Sequence, residues 1–165
     1  MLKLLRLSRA GLLAVVLPAS AANLSVEFVQ PEKYTDAGYS SSLASERERG
    51  EVQREIEQHL QRLAERSLPA SDALTIEVLD IDLAGHFEPF RFRNSSDLRI
   101  VREVTIPRIK LRYTLRRGDQ VIASAEEHLS DMNFLMTRNR YASGDRLRYE
   151  KAMLDDWFQR KISPR

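Results

Sequence analysis

RIKLRYTLR, at residues 108–116, alternates basic or polar side chains with apolar ones without a break. A period of two marks a β-strand with one wet face and one dry face. Ile109, Leu111, Tyr113 and Leu115 take the dry face; Arg108, Lys110, Arg112, Thr114 and Arg116 take the other. Gly118-Asp119 supplies a turn, and residues 121–129 return as a partner strand, so the stretch is a hairpin. A loop of two residues and one of three both fit. The register stays open, because a one-residue slip swaps the faces of the return strand.

Working outward, Pro107 suits the start of that strand, and residues 98–104 read as a short, weak one. Further upstream, LTIEVLDIDL (residues 74–83) is rich in β-branched residues, with apolar side chains on both faces near its end. That pattern predicts a central, well-covered strand, ended by Ala84-Gly85. Before it, Ser45 and Glu48 have capping-box spacing. Val52, Ile56, Leu60 and Leu63 then make a helical stripe, stopped at Leu68-Pro69. Leu24–Val29 alternates as a strand, Pro31 ends it, and residues 33–42 read as a loop.

Downstream of the hairpin, residues 143–162 read as a second helix with Ser143 or Asp145 as its cap. Its wheel gathers Leu147, Tyr149, Met153, Leu154, Trp157 and Phe158 on one face, with Glu150 in the middle. The order is strand, helix, strand, weak strand, hairpin, helix. It predicts an α+β fold: a mostly antiparallel sheet of about four to five strands with two main helices packed on one face.

Residues 1–22 are set apart. Lys3, Arg6 and Arg9 precede a short apolar run at residues 10–17, Pro18 breaks it, and Ala19-Ser20-Ala21 is a small-x-small site. This three-part order is that of a cleavable secretory signal. The run is too short for a bilayer span, which needs about 20 apolar residues. The expectation is an exported protein with a single α+β domain at residues 23–165 and no later membrane-crossing segment.

Whole-chain charge is 26 Lys+Arg against 24 Asp+Glu; without the three leader cations it is 23 against 24. The basic balance thus belongs largely to the leader and gives no support to a nucleic-acid partner. The chain has no Cys, which excludes disulfides, thiol nucleophiles and cysteine-ligated zinc or iron–sulfur centres. Gly-rich phosphate loops, a G-x-S-x-G elbow and H-E-x-x-H are all missing from it. His59, His86 and His128 are scattered, and His86-Phe87-Glu88 lacks the cysteines a deaminase H-x-E needs. No cofactor and no metal are expected.

Carboxylates leave one catalytic option open. Asp80 and Asp82, at i and i+2 on a strand, share a face and could split their pKa values; the plainer reading bonds them to solvent or loop N–H groups. Glu150, on an apolar helix face, must be paired or costs several kcal/mol. An ion pair with a sheet Arg is the favoured reading, and a buried general acid the alternative.

Two basic features are candidates for binding. Arg108, Lys110, Arg112 and Arg116 form a ladder on the wet face of the hairpin, either a solvated face partly matched by Glu126 or Glu127 or a docking strip for an anionic partner. Phe90, Arg91, Phe92 and Arg93, with Phe87, mix aromatics and cations as binding loops do, though such aromatics often merely pack. Arg117-Gly118-Asp119 spells an adhesion tripeptide, but in a tight hairpin it is turn chemistry. Asn23-Leu24-Ser25 and Asn94-Ser95-Ser96 match the N-glycosylation pattern, which matters only on a eukaryotic secretory route.

Five stretches in order carry a resemblance: VEFVQPEKYTD (26–36), LTIEVLDIDLAG (74–85), PRIKLRY (107–113), LSDMNFL (129–135) and YEKAMLDDWF (149–158). Together the chain resembles a bacterial secreted family catalogued as domain of unknown function 3016. The resemblance implies an exported, periplasmic Gram-negative protein and brings no activity or catalytic residues. Phe134 stands where that pattern leads one to expect Tyr, which removes a hydroxyl. The expected function is a non-catalytic binding or accessory module of the cell envelope, with an envelope protein or anionic envelope component as partner. The alternative is a carboxylate-dependent hydrolase of envelope polymers using Asp80, Asp82 or Glu150.

Overall fold

The computed structural model describes residues 23–39, 46–87 and 99–163. Strand β1 is Asn23–Phe28, helix α1 Glu46–Ser67, β2 Asp72–Asp82, β3 His86–Phe87, β4 Arg99–Ile100, β5 Arg108–Arg117, β6 Gln120–Ser130 and helix α2 Arg148–Lys161. The main sheet has the order β1-β2-β5-β6, and β3 pairs β4 in a small second sheet. β1 runs parallel to β2; the other neighbours are antiparallel. The expected α+β architecture is therefore present, with one parallel pair created by the β1–α1–β2 crossover.

The hairpin closes on the two residues Gly118 and Asp119, with Arg117 opposite Gln120. Gly118 has φ +56, a conformation that suits Gly in so tight a turn. The register pairs Ile109 with Leu129, Lys110 with His128 and Arg112 with Glu126, then shifts by a bulge next to Leu115. Ala123 and Ala125 pack against the core, whereas Ser124 and Glu126 face outward.

β2 is central, as its composition predicts, but its two-sided apolar end has another cause. Ile76 and Val78 are buried, and so are Ile81 and Leu83. A bulge between Val78 and Asp80 switches the parity, so both sets reach the same helix-covered face. The opposite face carries Glu77 and Arg112 in the open.

α1 buries Val52, Ile56, Leu60 and Leu63, the stripe read from the sequence. The Ser45 cap lies outside the described residues. α2 begins at Arg148, five residues later than Ser143. Residues 143–147 form turns, and the Asp145 carboxylate accepts the Leu147 N–H at 2.9 Å. Asp145 therefore does bond a backbone donor, but one turn ahead of the helix.

Between the helices runs a polar seam. Lys151 donates to Glu55 at 3.2 Å and His59 meets Asp155 at 3.0 Å. Both pairs lie 96 residues apart, one helical turn from each other, so α1 and α2 run side by side in the same direction. Their apolar faces meet the sheet, where Trp157 stacks edge-on against Tyr113 with centroids 5.7 Å apart. Among the described residues no helix is long and apolar enough to cross a membrane.

Candidate functional site

The basic ladder is occupied by its own sheet. Arg108 bonds Asp82 at 2.9 Å, Lys110 bonds Glu126 at 2.8 Å, and Arg112 bridges Glu77 at 2.7 Å and Glu126 at 3.0 Å. Arg116 donates to the Asp119 carbonyl at 2.6 Å. Lys110 and Arg112 together hold the Glu126 carboxyl below its usual value. Glu127 points to the other face and pairs with Lys161 of α2. An anion docking here would have to displace these carboxylates. Phe90, Arg91, Phe92 and Arg93 lie outside the described residues.

The three candidate carboxylates have separate local tasks. Asp80 accepts the Thr35 N–H and hydroxyl, both at 2.7 Å, pinning the loop after β1 to β2. Asp82 accepts from Arg108; burial pushes its carboxyl up, and the Arg108 bond works against that rise. Glu150 is 1% exposed, in the first turn of α2, and accepts the Ala84 N–H at 2.7 Å. The expected ion pair with a sheet Arg is replaced by this backbone donor, with the Arg99 charge acting without a bond. A backbone donor wins because β2 ends at Asp82, and Ala84 N–H would otherwise be buried without an acceptor.

Burial pushes the Glu150 carboxyl up despite the Ala84 bond. The native state therefore holds its proton to higher pH than the unfolded chain does. Stability then falls as pH rises from the unfolded value, about 4.3, through the folded one. Glu150→Gln should keep the Ala84 acceptor and remove that fall. Glu150→Leu should cost about 1–3 kcal/mol, because it leaves the N–H buried and unpaired. Urea midpoints at pH 5 and pH 8 test this; an equal pH slope for wild type and Glu150→Gln would refute it.

A well-formed concavity lies elsewhere, past the end of β2. It encloses about 540 Å³ between the first turns of α1 and α2 and the β3–β4 pair. Arg99, Arg146 and Arg148 line it, with Tyr39, Glu48 and Asp145. Arg99 is held by the Asp36 carboxylate at 2.7 Å, the Gly38 carbonyl at 2.8 Å and the Gly85 carbonyl at 2.7 Å. Its guanidinium lies over the Phe87 ring at 4.6 Å. Gly85 makes the approach possible: its φ is +81, and a Cβ there would meet the Ile100 carbonyl oxygen at 2.7 Å. Arg146 lies over Tyr39 at 4.8 Å and Arg148 over Tyr149 at 5.1 Å.

The cavity lining carries three guanidinium groups and two carboxylates, and Arg99 is already paired with Asp36. Lys151 bonds both Asp145 carboxylate oxygens at 2.8 Å and is shared with Glu55 at 3.2 Å. Arg99 Nε and Arg148 Nε are buried with no acceptor. The N-terminus of α2 adds the positive end of its dipole. A volume of this size suits a small ligand, and paired guanidinium groups suit phosphate or carboxylate oxygens.

The sequence reading missed these three arginines, because Arg99 is remote in the chain from Arg146 and Arg148. One signal was present: Arg146 and Arg148 flank a helix start, where the dipole disfavours cations. Among the described residues no group of three or more His, Asp or Glu is placed to hold a metal ion.

The fold and the cavity together define a small α+β protein, helices on one face of a mainly antiparallel sheet, with an arginine-lined pocket at the sheet end. The chain belongs to the family described as "Protein of unknown function (DUF3016)", whose model matches residues 22–160. Neither a curated protein nor a solved structure matches it. Phe134, where the family pattern led us to expect Tyr, is buried and stacks on Tyr149 at 4.8 Å; a hydroxyl there would need a partner.

Proposed function

We propose that this protein is an exported, periplasmic, non-catalytic binding module of the cell envelope that holds an anionic envelope component in the Arg99–Arg146–Arg148 cavity. The observation that carries the reading is the pair of buried guanidinium Nε–H donors, on Arg99 and Arg148, with no acceptor among the described residues. Buried donors without partners cost free energy, and a phosphate or carboxylate oxygen would satisfy them. The export part rests on the charge–apolar–small order of residues 1–22. The hydrolase reading has less support: Asp80, Asp82 and Glu150 are bonded to different elements, and none lines this cavity.

Thermal melting with pyrophosphate and with citrate as probes tests the site. Wild type should gain Tm with either anion, and the gain should shrink in high salt. Arg146→Ser/Arg148→Gln should lose it while melting within a few degrees of wild type without ligand. No gain with any anion, or an equal gain in the variant, would remove the cavity reading. Intact mass of periplasmic material tests export separately; a chain retaining residues 1–22 would refute it.

A further inference from the structure

The turn after β6 exposes apolar side chains that no packing requirement explains. Met132 is 77% exposed, Met136 82% and Leu135 42%. The turn carrying them is held firmly. Phe134 between them is buried on Tyr149, Asn133 N–H bonds the Asp131 carboxylate at 2.8 Å, and Met136 N–H bonds the Asn133 carbonyl at 2.8 Å. The result is a hydrogen-bonded turn with two exposed, flexible thioether side chains.

The turn itself, through Met132, borders a recess of about 450 Å³ that is also lined by Arg138, Arg140 and Arg160 together with Asp131 and Asp156. Among the described residues Arg138 has no acidic partner. Arg160 bonds only the Asp156 carbonyl of its own helix, at 3.1 Å, and Arg140 reaches Asp155 at 3.3 Å. Exposed apolar side chains next to an unpaired cation, Arg138, match the two layers of an anionic membrane surface: acyl chains below, phosphates above.

We propose that the 131–140 turn is a peripheral anchor for an anionic phospholipid bilayer, with Met132, Leu135 and Met136 entering the acyl boundary and Arg138 meeting lipid phosphate. This surface is separate from the Arg99–Arg146–Arg148 cavity, so either reading can fail alone. Two weak terms act together: partial burial of three apolar side chains and about one uncompensated cation at the surface. Binding is therefore reversible and salt-sensitive.

Co-sedimentation of the purified protein with vesicles tests this. The two vesicle types are phosphatidylcholine alone and phosphatidylcholine with about 30 mol% phosphatidylglycerol. Wild type should partition onto the anionic vesicles and weakly, if at all, onto the neutral ones. Met132→Ser/Met136→Ser and, separately, Arg138→Glu should each lower partitioning about tenfold. Both variants alter exposed side chains and should melt within a few degrees of wild type. Failure to bind anionic vesicles, equal binding to neutral ones, or a serine variant that binds as wild type would overturn the proposal.

Discussion

Asp155→Ala should lower the unfolding free energy by about 3–5 kcal/mol, the cost typical of removing one partner of a buried pair. The Asp155 carboxylate is 1% exposed; it is hydrogen-bonded to His59 Nε2 at 3.0 Å and the Tyr141 hydroxyl at 2.6 Å, and ion-paired with Arg140 at 3.3 Å. Burial alone would raise its pKa; the His59 and Tyr141 bonds, with the His59 and Arg140 charges, outweigh burial and hold it below the ordinary Asp value. The group is thus ionised and can only accept, so His59 Nε2 must carry the proton of their bond. Removing Asp155 leaves a buried imidazole and a half-buried phenol without their acceptor, in the seam that joins α1 to α2.

The sign of the pH effect follows from the depressed value. Asp155 contributes stability above the unfolded Asp pKa, about 3.9, and that contribution is lost as pH falls through the folded value. Asp155→Asn keeps the volume and one acceptor, and should cost less than the alanine variant. Urea unfolding at pH 7 and at pH 3 checks both points. A loss below about 1 kcal/mol for Asp155→Ala at pH 7 would mean that the seam does not hold the helices together.

Trp157→Ala should cost a comparable 3–5 kcal/mol, roughly. Trp157 is 1% exposed and contacts Tyr113 of β5 and Phe158 of α2 edge-on. It is the main wedge between α2 and the central strands, and nearby side chains can fill only part of the space it leaves. Its indole N–H is buried with no acceptor. Trp157→Phe removes that unpaired donor together with part of the ring, and should cost less than half as much as the alanine variant. Because Trp157 is the single tryptophan, circular dichroism must follow these melts. Equal losses for the Phe and Ala variants would show that the lost volume does not set the cost.

Much of the architecture was legible because its signals are local. The alternation from Arg108 to Arg116 settled the buried face of β5, since Ile109, Leu111, Tyr113 and Leu115 could shed water only together. The spacing of Val52, Ile56, Leu60 and Leu63 did the same for α1, and the 3.6-residue wheel placed Trp157, Phe158, Met153 and Leu154 inward on α2. The wheel also flagged Glu150 as a buried carboxylate in need of a partner, without naming the partner. It misplaced the start of α2, because Ser143 and Asp145 are turn formers as readily as caps.

The site was scarcely legible. Arg108, Lys110, Arg112 and Arg116 stood out because a strand lines them up, but their charge is spent on Asp82, Glu77, Glu126 and the Asp119 carbonyl. Two of those carboxylates sit on β2, which only the β2–β5 register brings opposite. Arg99, Arg146 and Arg148 carry no spacing signal, because the segments that bear them meet only after α2 docks beside α1.

Sequence alone, then, determined the main strands and helices, the dry side of β5, α1 and α2, and that the two helices cover one face of the sheet. Those properties depend on residues within a turn or two of each other, and apolar periodicity reports them directly. Tertiary structure alone decided the hairpin register, the bulge that turns Ile81 and Leu83 inward, the backbone partner of Glu150, and the meeting of His59 with Asp155 across 96 residues. A charged or polar side chain does not encode its partner. Its partner is whichever group the docked elements leave within hydrogen-bond reach when water is gone.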